Sequence, residues 1–317
     1  FLVPRHLGGQ GLSAVEAARV QRAIGARSPS LAIILTMHGF TCGFLAVSRL
    51  YESVGEKLLR TIADHQLLLA SGFAEGRSGA GVFESTLYAV KTSGGYVLNG
   101  SKKPCSLSRS LDVLTAGVAV RYADGQVETG LAMIPRGAPG LSQKLFWNSP
   151  ILYAAENHEV VFKDVFVPSE HIVVSEPHDC AAQAHMRSLE RLGQSWFQVF
   201  VAASYLGMAS NLAERVIARK HTSVHDVAEL GVELEGAMLS VEGAAHLLDH
   251  AVVDDHRIAL RALAQPEAAA VEGQGLRRQR GRPGRRAHQR GHSQPRRADD
   301  DRDHRPRQDR RALRKDA

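Results

Sequence analysis

Along residues 12–70 apolar positions recur at helical spacing, beginning with Val15, Ala18 and Val20. Just ahead of them Ser13 stands three residues before Glu16, the spacing of a capping box in which each residue satisfies a free backbone N–H of the other's neighbourhood. A second helix is predicted across residues 31–51, and a third over "EKLLRTIADHQLLL". After about residue 66 the pattern changes to short β-rich runs. "STLYAVKTSGGYVLNGSKK" reads as two strands around Ser93-Gly94-Gly95, where glycine supplies the positive φ of a tight turn. "VLTAGVAVRYADGQVETGLAMIPR" repeats the arrangement around Ala123-Asp124-Gly125, and "NHEVVFKDVFVP" adds a strand ended by Pro168. Strands at this spacing predict a compact antiparallel barrel or sandwich. Helical periodicity returns over residues 181–264, with long apolar stretches broken by small residues, as in helices packed closely on neighbours.

The predicted architecture is therefore α+β. An incomplete N-terminal helical domain (1–66) leads to a central antiparallel β-barrel domain (67–175), then an incomplete C-terminal helical-bundle domain (176–272) and a tail (273–317).

Composition adjusts this picture in three places. The window 31–47 is about as long as the minimum bilayer span, but it carries His38, Gly39, Thr41 and Gly43 and reads as a buried core helix, so no membrane partner is expected. Cys42, Cys105 and Cys180 are too few and scattered for a disulfide framework, and pairs such as His221 and His225 lack ligand order; a reducing cytoplasm and no metal are expected. The net charge of +6 is unevenly placed: residues 273–317 hold 15 Arg and one Lys against six Asp, a net of +10, while the preceding part carries −4. Leu276 and Leu313 are the tail's only aliphatic side chains larger than Ala, so it reads either as a disordered basic arm or as GC-rich DNA translated out of frame after about Val271. The frameshift is preferred, and nucleic acid is not an expected partner. The chain opens without Met on "FLVPRHLGGQGLS", which reads as the middle of a protein and suggests a fragment.

The chemistry centres on "FAEGRSGAG", residues 73–81. It lacks the Gly-Lys-Ser/Thr of a nucleotide phosphate loop, and its glycines do not make G-x-G-x-x-G. Its neighbours are more informative. "VPRHLGGQGLS", "FAEGRSGAG", "GGYVLNGSKK", "IPRGAPGLS" and "VFKDVFVPSEHIV" stand in order and at spacings that resemble the acyl-CoA dehydrogenase superfamily of flavoproteins, from Phe1 to about Val271.

That resemblance implies a homodimer or homotetramer holding FAD between the β domain and the last helices. It also implies an oxidoreductase acting on an acyl-CoA or another small molecule, with an electron-transfer partner or a flavin reductase. The leading expectation is α,β-dehydrogenation of an acyl thioester; the alternatives are a flavin-dependent monooxygenase or an inactive truncated product. Carried over by position, the flavin-facing residues are Ser71, Phe73 and Ala74, the turn residues Gly79 and Ala80, and Pro104 and Ser106 at the wall over the ring. Ala74 replaces a Thr of the family pattern, Ala80 a Ser, and Pro104 a stacking Trp. A dehydrogenase needs a carboxylate to take the substrate α-proton. Counting back from Gly207 puts Phe197 and Gln198 where some members carry a Glu-Arg pair; Glu190-Arg191 lies seven residues earlier, and Glu190 is read as a solvated helix charge. The catalytic base is thus left unassigned.

Overall fold

A computed structural model describes residues 1–48, 54–77, 84–174, 180–219 and 223–250. The basic tail, the frame change near Val271 and the expected continuation of the last helix to residue 264 lie outside the described residues.

Helix α1 (Ala14–Arg27) starts at the capping box: Glu16 N donates to Ser13 Oγ at 3.1 Å, and Ser13 N donates to Glu16 Oε2 at 2.9 Å. Helix α2 (Pro29–Val47) opens on a proline, whose missing N–H is no loss in a first turn. Among the described residues α2 is the only helix long and apolar enough to cross a bilayer, and it packs on α1, on the long helix α4 (Cys180–Ile217) and on strand β1 (Leu69–Gly72). Helices α3 (Val54–His65) and α5 (Val224–Asp249) complete the set among the described residues. One apolar cluster draws on all five, through Ala17, Phe40, Leu59, Phe200 and Leu248.

Helices α1 and α4 cross at a place where only glycine fits. A Cβ on Gly25 would meet the Ser204 carbonyl oxygen, and one on Gly207 would meet that of Arg22. Both obstacles are backbone, so neither can rotate away. Gly25→Ala is therefore expected to destabilise the protein by about 1–3 kcal/mol, despite the helix propensity gained, as read from a urea denaturation midpoint. Beside the crossing, the fully buried Gln21 amide donates to Thr36 Oγ1 at 2.9 Å and Ser204 Oγ at 2.8 Å, tying α1, α2 and α4 together.

The remaining strands are β2 (Tyr88–Thr92), β3 (Gly95–Cys105), β4 (Val113–Arg121), β5 (Val127–Pro135), β6 (Leu141–Lys144), β7 (His158–Pro168) and β8 (Ile172–Val174). The two predicted hairpins are β2–β3, closing at Thr92 opposite Gly95, and β4–β5, closing at Arg121 opposite Val127. In the first, Gly94 takes φ +79°. Their apolar faces meet, together with β7, in a second cluster that includes Leu98, Leu114, Val118, Ile134 and Val165.

The expected antiparallel barrel is corrected in two respects. The sheet runs β6-β7-β3-β2-β4-β5-β8 and does not close. It is also mixed, because β1 and β2 both lie parallel to β4 and share one of its edges in tandem: Leu69–Gly72 opposite Val113–Ala116, then Tyr88–Val90 opposite Ala119–Arg121. The physical reason is length. Strand β4, with nine residues, is long enough for two short partners end to end, while the terminal β6 and β8, with four and three, are too short to seal a barrel. The chain between β1 and β2, which includes "FAEGR", leaves the sheet at this junction.

Candidate functional site

A cavity of about 280 Å³ lies between the helices and the sheet. Helix α4 contributes Met186, Leu189, Glu190, Gly193, Gln194 and Phe197, a single face at helical spacing. Helix α2 contributes Met37, Phe40, Thr41, Phe44 and Leu45 on the same principle. The sheet side is formed by Ser71, Phe73, Ala74, Pro104 and Ser106, together with Thr115 and Gly117 of β4. Five of the seven residues singled out from sequence therefore share one wall. Gly79 and Ala80 lie outside the described residues.

Aromatic rings dominate the interior. Phe40 sits 6.4 Å from Phe73 and 5.6 Å from Phe197, the latter edge-on at 80°, so three separate elements meet through their rings. Four of the five hydroxyls on the described lining, all but that of Thr129, are already committed as donors. Thr41 Oγ1 donates to Met37 O at 3.1 Å, which leaves Ser71 Oγ to donate to Thr41 across 3.3 Å. Thr115 Oγ1 donates to Ala70 O at 3.1 Å, and Ser106 Oγ to Asn157 Oδ1 at 2.7 Å. What Thr41, Thr115 and Ser106 retain for a ligand is lone pairs.

The segment leaving β1 is held by a buried ion pair. Lys102 is fully buried and its Nζ lies 2.7 Å from Glu75 Oε1; it also donates to Ser85 Oγ at 2.8 Å. The Glu75 carboxylate further accepts from Thr86 N at 2.7 Å, Thr86 Oγ1 at 2.6 Å and Ser85 Oγ at 3.1 Å, closing the start of β2 onto the end of the β1 segment. Burial by itself would raise the Glu75 carboxyl, but the bonds from Lys102 and Thr86 and the Lys102 charge outweigh it and bring it to about 2. On the other flank Lys103 N donates to Ala74 O at 2.9 Å, which sets Ala74 beside Pro104. This pin was not recognised in the sequence, although Glu75 and Lys102 both lie inside the quoted motifs.

Glu190 is placed differently from the expectation of a solvated charge. It is half-buried on the cavity wall, and burial pushes its carboxyl up, with Arg187 and Arg191 pulling the other way. The seven-residue step to Phe197 puts both on one helical face, and that face points inward because α4 packs on α2 and faces the sheet across the cavity. The helix-face signal was present in the sequence; which way the face looked was not.

The implied flavin has a ring that is flat and largely apolar, with a few acceptors and N–H groups. A slot walled by Phe73, Ala74 and Pro104, and offering the Ser106 and Thr115 oxygens, fits such a ring in shape and in donor set. By contrast, Cys42 and Cys105 are buried with their thiols pushed up to about 12 by desolvation, so neither is a nucleophile.

No protein-family model matches the chain. It is 39% identical over 284 residues to isobutylamine N-hydroxylase of Streptomyces viridifaciens, covering 87% of this chain and 74% of that relative. It is 28% identical over 267 residues to cyclohex-1-ene-1-carbonyl-CoA dehydrogenase of Syntrophus aciditrophicus, covering 78% of this chain and 61% of the relative. Among solved structures, TdsC from Paenibacillus sp. A11-2 with FMN and indole superposes with a TM-score of 0.70 at 18% identity, over 82% of this chain and 68% of that one. The glutaryl-coenzyme A dehydrogenase complex with glutaryl-CoA gives 0.66 at 22%, over 79% and 65%. The structural likenesses establish the fold.

Proposed function

Since the chain belongs to the acyl-CoA dehydrogenase superfamily of flavoproteins, we propose that it is an FAD-dependent oxidoreductase that transfers oxygen to a small aliphatic amine. The observation that carries this reading is the aromatic, nearly charge-free cavity, with Phe197 at the helical position where some members place their base. Reduced flavin would supply the electrons for cleaving dioxygen, one atom going to the substrate and the other to water. The chain's own residues do the rest. Phe73, Ala74 and Pro104 would pack on the ring, and Ser106 Oγ would accept an N–H from it. Phe40, Phe73 and Phe197 would keep water from the reacting centre, where it would divert reduced oxygen into side reactions. The relative that N-hydroxylates isobutylamine supports the same direction.

A second reading, α,β-dehydrogenation of an acyl thioester, is favoured by Glu190, a carboxylate on the wall that could take an α-proton. The two part in a direct assay. With FAD, NADH and a flavin reductase, isobutylamine is expected to raise oxygen uptake and to yield an N-hydroxylated product. Reduction of a dye acceptor by an acyl-CoA panel, without reductase, would replace the first reading by the second. Protein that neither carries nor gains flavin absorbance would remove both.

We extend the reading to a homo-oligomer. Val232 and Leu239, seven residues apart on α5, are 72% and 68% exposed, apolar surface that a second copy could bury.

A further inference from the structure

We propose that Glu190 is the counter-ion of a substrate ammonium group, so that the cavity selects primary alkyl amines over alcohols and acids of the same shape; this rests on the amine reading above.

Three observations converge on it. Among the described residues that line the cavity Glu190 is the only ionisable side chain; the described walls from α2, α3 and the sheet contribute none. Among the described residues no N–H or O–H group hydrogen-bonds its carboxylate, and Arg187 and Arg191, both exposed on the same helix, act on it only at longer range. A half-buried carboxylate without a partner is costly, and burial raises it accordingly. A cation entering the cavity would relieve that cost.

The second observation is that most hydroxyls on the facing walls are already spent as donors. The protons of Thr41, Thr115 and Ser106 go to Met37 O, Ala70 O and Asn157 Oδ1, so these hydroxyls offer lone pairs. An ammonium, with three N–H groups and no acceptor, complements such a set, whereas a carboxylate ligand would face the like charge of Glu190, with Gln194 and Thr129 as the side-chain donors left among the described lining residues. Third, Gly193 lies one turn from Glu190 on the same face, and the space its missing side chain leaves is bounded by Phe44 at 3.8 Å. A short alkyl group can lie there against Phe44 and Phe40.

The pair also prepares the nitrogen. Passing one ammonium proton to a Glu190 oxygen yields a neutral carboxylic acid and a neutral amine with a free lone pair, and an apolar cavity favours this exchange because it removes both charges.

The experiment titrates FAD-loaded protein with isobutylamine, isobutanol and isobutyrate, following the flavin spectrum. Wild-type protein is expected to bind the amine more tightly than the alcohol by ~10- to 100-fold, and Glu190→Gln to erase that preference while leaving isobutanol affinity and flavin content unchanged. Equal affinity of the wild-type protein for amine and alcohol would overturn the proposal, and that comparison stands even if the variant fails to fold. Undiminished amine selectivity in Glu190→Gln would also overturn it. Glu190-dependent amine binding without oxygenated product would support the counter-ion and remove the oxygenation reading. Product formation at unchanged KM in Glu190→Gln would do the reverse.

Discussion

Glu75→Gln is expected to cost about 3–5 kcal/mol of stability, because it strands a charged ammonium in a fully buried position. The glutamine can still accept from Thr86, but it cannot balance Lys102, which is buried along its whole length. Urea denaturation followed by the fluorescence of Trp147 and Trp196 reads the loss. The opposite change, Lys102→Met, should be milder, since Glu75 keeps its bonds from Ser85 and Thr86 and has Arg77 Nε at 3.3 Å. Glu75→Gln combined with Lys102→Met should recover part of the loss, because no buried charge then remains. If Glu75→Gln unfolds at the wild-type midpoint, the pair does not hold the segment.

The same pair sets an acid limit. The folded-state pKa of Glu75, about 2, lies below its ordinary 4.5, so its stabilising contribution is present above the ordinary value and fades as pH falls towards the folded one. Taken alone the shift is worth roughly 3 kcal/mol. The pair's net value is smaller, because burial lowers the pKa of Lys102 despite the opposing bond and charge of Glu75. Wild-type stability should decline between about pH 5 and pH 2, and Glu75→Gln should flatten that part of the profile.

Gly193→Trp should separate folding from ligand binding. A Cβ at this position meets Phe44 only at ordinary contact distances of 3.8 and 4.0 Å, so the backbone tolerates a side chain. Replacing a helical glycine also recovers up to about 1 kcal/mol of helix propensity. An indole there would occupy much of the cavity of about 280 Å³. Thermal unfolding is therefore expected near the wild-type temperature, while flavin retention and substrate turnover fall on the order of 100-fold, equivalent to about 2.7 kcal/mol of binding. Gly193→Ala, which adds only a methyl group, should unfold and retain flavin as wild type, with at most a modest loss of substrate affinity. If Gly193→Trp retains flavin and turns over substrate normally, the ligands do not bind at this cavity.

Much of this was legible before the fold was known, and the reasons are local. Ser13 and Glu16 form their box within one turn, and the hairpin closing at Thr92 opposite Gly95 depends on residues adjacent in sequence. Ordered motifs pointed to Ser71, Phe73, Ala74, Pro104 and Ser106, which share one wall. The barrel expectation failed because strand patterning reports which residues alternate, not which strands become neighbours. Nothing local reveals that β1 and β2 both lie along one edge of β4.

Glu190 shows where the division falls. Local pattern along the chain already put Glu190 and Phe197 on one helical face, allowed tight turns at glycines in the sheet, and made the segments alternate helical, β-rich and helical. That this face looks into an aromatic cavity, and that Glu75 and Lys102, 27 residues apart, neutralise each other out of water, follows from packing alone. Periodicity is a property of neighbouring residues along the chain. Burial and charge pairing depend on which distant surfaces meet, and that is settled only when helices and sheet pack together.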